Sequence, residues 1–508
     1  MTALIKNRLF IYIIPFILGL VSSFSLPPYN LFLINFITFP LMLIYFLSNY
    51  KENKWISFNL GWMFGFGYFI SSLYWITNSL TFEDSFKVLI PFALILIPLF
   101  LGIFYGLITY VCSFFNLEKK FLSILIFSLF FSLSEFLRAN ILGGFPWNLI
   151  AFSWSGNLNF IQILSYIGTY AFNLICITIF LIPAIIFFNY KKKIKIYTVF
   201  ILLLLIFSNI YYGSVSIKNY TKNPEKIIDF TIKIVSPKIT INRYFENFTP
   251  EEILIDIINI SNPNKSEKTL FIFPEGVLTG TYLQEIENYR FFFSESYSEN
   301  HKIILGINSL ENDKIFNSLV VIDHQANILK KYNKNKLVPF GEFVPFENML
   351  SKFGLKKITQ GYQSFSSDKV RQIININNLS FVPLICYEII YSGLINKQNE
   401  DFDFLLNISE DGWFGETIGP HQHFSHSIFR SIEEGKNLIR SANNGTSAFI
   451  NPKGQLVDKI KSTNSGFIEI KAFKSVEKTI FSTYGNMIFF YFIFFYISLI
   501  FFIKKIGR

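Results

Sequence analysis

The sequence predicts a polytopic α-helical membrane domain of about eight spans joined to one α/β domain in water. Three patterns carry that expectation: the uneven spread of apolar residues, the side on which lysines and arginines fall in the short loops, and a long alternation of strand-like and helical stretches. With 51% hydrophobic residues and 63 Phe among 508 positions, and a mean hydropathy of +0.39, a soluble fold would leave too much apolar surface unburied, so a bilayer takes part of the chain. Apolar stretches broken by short polar loops fill 8–212, an ordinary soluble pattern fills 213–484, and 485–503 is apolar again. The expected organisation is therefore a seven-span domain over 1–212, a water-exposed domain over 213–484, and a final span with a short tail over 485–508.

Taken in order, the candidate spans are 8–25, 30–49, 58–79, 88–114, 121–137, 160–188, 195–212 and 485–503. Most reach the ~20 residues a helix needs to cross the hydrocarbon core. The first lacks a small-residue cleavage site and runs straight into further spans, so it is expected to stay as a span and not to be removed as a signal peptide. With eight spans, Lys6 and Arg8, Lys51 and Lys54, Lys119 and Lys120, Lys191, Lys192, Lys193 and Lys195, then Lys504, Lys505 and Arg508 share one side, against little beyond Lys87 and Arg138 on the other. The positive-inside rule places that side, and both termini, in the cytoplasm. The domain over 213–484 is then exported, in a bacterium to the periplasmic face of the inner membrane. A net charge of +10 in a chain rich in Phe, Ile, Lys and Asn is a weak pointer to any anionic partner, and no nucleic acid is expected.

In the exported domain, strand-like segments lie at 228–235, 269–273, 302–306, 318–323, 379–385, 403–408, 446–450 and 465–470, with helical stretches at 250–260, 280–298 and 421–437. Alternation on this scale argues for one α/β domain. The segments at 269–273 and 379–385 are almost wholly apolar, as interior strands covered on both faces are. Each ends in a polar residue. KTLFIFPEG terminates at Glu275, YNKNKLVPFGEFVP carries Lys334 and Glu342, and SFVPLICYEII terminates at Cys386, followed by Tyr387, Glu388 and a helix-like run.

Cys112 and Cys176 fall inside candidate spans, which leaves Cys386 alone in the exported domain. In an oxidising compartment cysteines are usually paired, so a lone one is either an apolar filler or a functional thiol. At a strand-to-helix turn, the following N–H groups and a helix N-terminus can lower a thiol pKa and hold an oxyanion. A carboxylate beside the thiol can act as general base, and an ammonium can stabilise a tetrahedral intermediate. Singly, each residue also has a plain reading: Glu275 as a solvated loop residue, Lys334 as surface, Cys386 as core. Together, Cys, Glu and Lys suffice for acyl transfer.

FPEG, YNKNKLVPFGEFVP and ICYE, in this order and at these separations, resemble the Glu–Lys–Cys signature of the nitrilase superfamily. The long form LVPFGEFVP, with eight spans and an exported domain, resembles the bacterial apolipoprotein N-acyltransferase family. FSLPPYN at 24–30, GFGYFISSLYW at 65–75, SEFLRANILGGFPWN at 134–148 and IGTYAFN at 167–173 are similar to that family's membrane part; DGWFG at 411–415, GPHQH at 419–423 and RSANNGTSAFINPKG at 440–454 are similar to its soluble part. The resemblance implies an αββα sandwich for the exported domain. It also implies a reaction: an acyl chain passes from a phospholipid, typically phosphatidylethanolamine, to an enzyme thioester. From there it passes to the N-terminal amine of a diacylglyceryl-cysteine apolipoprotein. Cys386 would be the nucleophile, Glu275 the base and Lys334 the oxyanion cation, with Glu342, Tyr387, Glu388, Phe340 and Trp413 supporting the site or contacting substrate. No metal or organic cofactor is implied. The chain departs from the family pattern at Phe273, at Ser409–Asp411, where Glu410 follows the serine, and over 235–239; a Trp expected shortly after is absent, with Tyr244 a candidate in its place.

Other features have two readings each. His421, His423 and His426 fit no zinc spacing, and hydrogen bonding at a helix N-terminus is expected of them. Phe340, Phe343, Phe346, Met349 and Leu350 around Glu342 are either core or an apolar arm dipping into the lipid. Arg138, three residues after Glu135, is either half of an i,i+3 ion pair or a lipid-phosphate contact. Two rival functions remain in view: a membrane-anchored carbon–nitrogen hydrolase (amidase or nitrilase) with water as acceptor, and a catalytically dead scaffold for lipoprotein handling. One span would anchor a hydrolase, and a scaffold has no use for Glu275, Lys334 and Cys386 together.

Overall fold

The structure is a computed structural model and describes residues 8–51, 53–118, 120–245, 248–345, 357, 364–396 and 400–506. The chain forms two compact units, one holding the chain up to Thr77, Val88–Asn219 and Thr483–Arg508, the other Asn78–Lys87 and Tyr220–Ser482.

The first unit is helical, and a helix coincides with each candidate span. Among the described residues, six are long and apolar enough to cross a membrane: Phe32–Asn49, Ile90–Cys112, Phe121–Asn140, Leu164–Phe187, Lys192–Tyr220 and Met487–Lys505. The two that fall short are Arg8–Ser22 and Lys54–Leu73. The second, KWISFNLGWMFGFGYFISSL, carries Asn59 and three serines, and its glycines serve packing. Gly61 and Gly65 let the helix Lys54–Leu73 meet Ile90–Cys112 backbone to backbone, since a Cβ on Gly61 would lie 2.2 Å from the Tyr105 carbonyl oxygen. Gly67 does the same against the first helix, where a Cβ would lie 2.0 Å from the Phe16 carbonyl oxygen. Small residues lower the hydropathy of the helix while allowing the close packing that drives association in lipid. Glu135 and Arg138 are both buried, 3.6 Å apart. Glu135 also accepts from Tyr105 Oη at 2.8 Å and Asn173 Nδ2 at 2.5 Å, and Arg138 donates to the Phe145 carbonyl. Of the two readings of Arg138, the ion pair is the one present.

The second unit holds two six-stranded sheets. The strands are β1 (Glu225–Ser236), β2 (Thr269–Ile272), β3 (His301–Glu311), β4 (Lys314–Asp323), β5 (Ile328–Asn333), β6 (Ile374–Ile376), β7 (Leu379–Ile385), β8 (Phe404–Glu410), β9 (Asn437–Asn443), β10 (Ser447–Ile450), β11 (Leu456–Ile460) and β12 (Gly466–Lys474). They run in the order β12-β1-β2-β3-β4-β5 in one sheet and β11-β10-β9-β8-β7-β6 in the other. Ile232, Ile272 and Val321 from the first sheet pack with Phe381, Ile408 and Ile439 from the second, so the main core lies between them. The helix Pro250–Ser261 covers the outer face of the first sheet with Ile253, Leu254, Ile257 and Ile258. Its start is set by a capping box, Thr249 bonding Glu252 N and Glu252 returning to Thr249 N, both at 3.3 Å. On the second sheet lies the helix Gly419–Glu434, stopped by Gly435 at φ 64°. The layers are helix, sheet, sheet, helix.

Several sequence expectations shift. The helix expected at 195–212 continues to Tyr220, and β1 begins at Glu225. The helix expected over 280–298 is a 3₁₀ stretch, Leu283–Tyr289, followed by only Arg290–Ser296. The helix expected over 421–437 ends earlier because β9 starts at Asn437. Strands β5, β6, β9 and β11 were not expected. Residues 78–87, the last two of the span expected at 58–79 and the loop after it, belong to the second unit, where Asn78 Nδ2 donates to the Trp413 carbonyl at 3.2 Å and Phe82 stacks on Phe245.

Candidate active site

The site gathers where the interior parallel strands end. β2 lies between β1 and β3, and its four residues are buried. Beyond it Pro274, which has no N–H for a ladder, accepts from Gly306 N at 3.1 Å and turns the chain out of the sheet. Glu275 follows, and Gly276 after it sits at φ 59° with Tyr244 Oη 2.0 Å from where a Cβ would be. Only glycine combines that backbone with that approach. Glu275 is buried and held on both oxygens: Oε1 accepts from Asn317 Nδ2 at 2.7 Å and Lys334 Nζ at 3.3 Å, Oε2 from Glu410 N at 2.9 Å.

Lys334 follows β5 directly and is 1% exposed. Its ammonium reaches Glu342 Oε1 at 2.9 Å as well as Glu275. Asn317 Nδ2 bridges the same two carboxylates, at 2.7 and 2.8 Å, and Val338 N donates to Glu342 Oε2 at 2.9 Å. Burial works against the ammonium, but Glu275 and then Glu342 outweigh it, and the Lys334 pKa lies well above the ordinary lysine value.

Cys386 directly follows β7 at φ 49°, in the left-handed region that side chains rarely occupy. Glu388, fully buried, ties this elbow down. Its Oε2 accepts from Ile385 N at 2.8 Å; its Oε1 accepts from Tyr332 Oη at 2.7 Å, Asn335 N at 2.8 Å and Arg371 Nη2 at 2.9 Å. Tyr387 is buried edge-to-face on Tyr391 at 5.5 Å. The run after Cys386 is a five-residue 3₁₀ turn, Cys386–Ile390, in place of the expected helix. The thiol is accordingly not lowered: burial pushes the Cys386 pKa well up, Glu275 adds to this, and Lys334 opposes it. A thiol so placed is neutral at pH 7 and needs a base to become a nucleophile.

Around this centre lie the remaining candidates. Trp413 is half-buried in the turn Asp411–Phe414 and packs on Tyr244 at 5.3 Å, Phe245 at 6.2 Å and Phe82 at 5.8 Å. Tyr244 Oη donates to the Gly276 carbonyl at 3.1 Å, one residue from Glu275. Phe340 is 47% exposed at φ 62°. Phe346, Met349 and Leu350 lie outside the described residues. The structure thus joins Glu275, Lys334 and Glu342 directly, places Cys386 within electrostatic reach of Glu275 and Lys334, and leaves Phe340 facing outward. Sequence reading passed over Asn317, Tyr332, Arg371, Arg243 and Arg440. Asn317 lies just before the strand expected at 318–323 and within β4, KIFNSLVVID, and no local signal marked it. Arg243 and Glu410 form a buried ion pair at 2.6 Å, Arg243 also donating to the Gly276 carbonyl at 3.1 Å. His423 pairs with Asp411 and with the Cys386 carbonyl.

Two family models match. "Apolipoprotein N-acyltransferase N-terminal domain" covers residues 18–182, and "Carbon-nitrogen hydrolase" covers 258–471. Curated apolipoprotein N-acyltransferases of Rickettsia prowazekii and Rickettsia typhi are each 32% identical, over 86% and 93% of this chain and 88% and 94% of theirs. That of Rhizobium rhizogenes is 28% identical over 89% of this chain and 88% of its own. Among solved structures, a CN-hydrolase superfamily protein of Xanthomonas campestris overlays 48% of this chain and 91% of its own at 14% identity and a TM-score of 0.35.

Proposed function

The chain belongs to the apolipoprotein N-acyltransferase family, a family of enzymes of lipoprotein N-acylation, and from that premise we propose that it carries the acyl group as a thioester on Cys386. The donor in this reading is a phospholipid, phosphatidylethanolamine in the first instance, and the acceptor is the N-terminal amine of a diacylglyceryl-cysteine apolipoprotein. The observation that carries it is the buried Lys334 ammonium set between Glu275 and Glu342 beside a neutral, buried thiol.

Each step follows from these groups. Glu275 takes the Cys386 thiol proton, and the thiolate attacks the donor ester carbonyl. Lys334 stabilises the oxyanion. The tetrahedral intermediate collapses, and the lyso-phospholipid oxygen leaves with the proton from Glu275. The apolipoprotein amine then gives its proton to Glu275 as it attacks the thioester, and the expelled thiolate takes that proton back. The product is an amide and the free thiol is restored. Glu342 and Asn317 hold Lys334 and Glu275 in place; Glu388 and Tyr387 hold the elbow; Phe340 and Trp413 contact the acyl chains. The eight-span arrangement, with termini in the cytoplasm and the second unit at the periplasmic face of the inner membrane, is part of the same proposal.

Mass spectrometry of the full-length protein with phospholipid tests the reading. An acyl adduct is expected on the native chain and on Cys112→Ala and Cys176→Ala, but not on Cys386→Ala. With phospholipid alone the thioester should persist, and a diacylglyceryl-cysteine peptide should discharge it with ping-pong kinetics. Steady release of free fatty acid without an acylated peptide would mean that water is the acceptor and the hydrolase reading holds.

A further inference from the structure

Beneath the nucleophile lies a buried polar cluster that none of the steps above uses. His423, on the helix Gly419–Glu434, is completely buried, and its Nε2 lies 3.2 Å from the carbonyl oxygen of Cys386. A carbonyl only accepts, so Nε2 carries the proton of this bond. At the other side of the ring, Nδ1 lies 2.9 Å from Asp411 Oδ1 and 3.1 Å from Arg440 Nη2. Asp411 is fixed in turn by Ser409 Oγ at 2.7 Å and by Arg440 Nη2 at 2.8 Å. Arg440 also donates to Asn407 Oδ1, and Asn407 Nδ2 donates to the Leu384 carbonyl at 3.1 Å. The cluster therefore joins β7, β8 and β9 just below the elbow, where Ile385 pairs with Ile408 and Asn407 with Arg440. Phe414 closes the ring edge-on at 5.5 Å.

Such a set of buried charges is costly unless every member is paired, and here it meets the reacting residue at the main-chain carbonyl of a cysteine in a strained conformation, through His423, and at its side chain, through Ser409. Strain of this kind persists only where the surroundings over-determine it. We propose that His423, oriented by Asp411 and Arg440, is a positioning residue that clamps the Cys386 carbonyl and so holds the thiol in its left-handed, substrate-facing conformation.

This rests on Cys386 being the nucleophile, and the test separates the two claims. Single-turnover acyl-adduct formation with phosphatidylethanolamine vesicles is followed on the full-length protein and on Cys386→Ala, His423→Asn and His423→Gln, with thermal midpoints recorded alongside. Glutamine can place an N–H where Nε2 stands; asparagine reaches only the Nδ1 position. A misplacement of about 1 Å costs about 10²-fold in rate, so His423→Asn should acylate tens of times more slowly at an unchanged half-saturating vesicle concentration. His423→Gln should recover most of that loss. Should His423→Asn fail to fold, Phe414→Leu, which removes the ring's lateral support and none of its hydrogen bonds, should slow acylation several-fold, again without moving half-saturation. Native rates in His423→Asn, or in Phe414→Leu where that variant stands in, overturn the clamp, as does an equal loss in the asparagine and glutamine variants accompanied by equal falls in thermal midpoint. An adduct surviving in Cys386→Ala overturns the nucleophile itself.

Discussion

Replacing Lys334 by methionine removes a buried cation and leaves two buried carboxylates facing one another. At an effective dielectric of about 20, ion pairs at the observed 2.9 and 3.3 Å are worth about 6 and about 5 kcal/mol. Against this stands a desolvation penalty of several kcal/mol per ion, so the pairs do not add to stability in full. Breaking them from one side is still costly, by about 3–5 kcal/mol, because the remaining charges stay buried. In the native protein the raised Lys334 pKa means its contribution is complete below the ordinary lysine value and is lost only as pH climbs through the higher folded value. Stability from this source is therefore flat between pH 5 and 9. In Lys334→Met the two carboxylates face one another without their cation, so the variant should be less stable than the native protein at pH 7. Adding Glu342→Gln should restore much of the thermal midpoint at pH 7 without restoring activity. Adduct formation should fall by at least about 10²–10³, the cost of losing one oxyanion donor. Thermal shift across pH and single-turnover acylation measure the two effects. A Lys334→Met protein with a native midpoint and a near-native rate would refute both the burial argument and the oxyanion role.

Glu275 raises the Cys386 thiol, so Glu275→Gln should move the pH profile of iodoacetamide alkylation at Cys386 to lower pH while abolishing acyl transfer; an unmoved profile would mean the two groups do not interact. The Arg243–Glu410 pair is buried on both sides, so Arg243→Met or Glu410→Gln alone should cost about 3–5 kcal/mol. The double replacement should lower the thermal midpoint less than either single one, and a larger fall would show that the pair is not coupled. For orientation, a reporter active only outside the cytoplasm should work when fused after Lys222 but not after Lys193 or at Arg508, and activity at Arg508 would make the span count odd.

Much of the fold could be read locally. Membrane helices are legible because a bilayer demands long apolar runs, and β2 and β7 are legible because interior strands are apolar on both faces. The failures have a common cause. β9, NLIRSAN, is a central strand full of polar side chains, and β5, ILKKYN, has exposed lysines next to a buried tyrosine. Neither shows alternation or an apolar run, because their side chains are satisfied by residues far along the chain. The glycines of Lys54–Leu73 have a tertiary use too, serving contacts with two neighbouring helices that no local run announces.

The sequence by itself determined where the chain is apolar, that β2 and β7 lie inside the sheets, and that Glu275 and Cys386 stand at strand ends while Lys334 and Glu342 share one motif with chemistry to offer. Those properties are local, set by short runs of residues and the motifs within them. Only the tertiary structure decided which charges are paired. Arg243 meets Glu410 across 167 residues, Tyr332 meets Glu388 across 56, and His423 meets the Cys386 carbonyl across 37. The direction of the thiol shift was decided there too: the turn after Cys386 gives only a short 3₁₀ segment, while burial and the neighbouring Glu275 outweigh Lys334. Desolvation and Coulomb energy depend on distance in space and on exclusion of water, and neither is a property of neighbours in sequence.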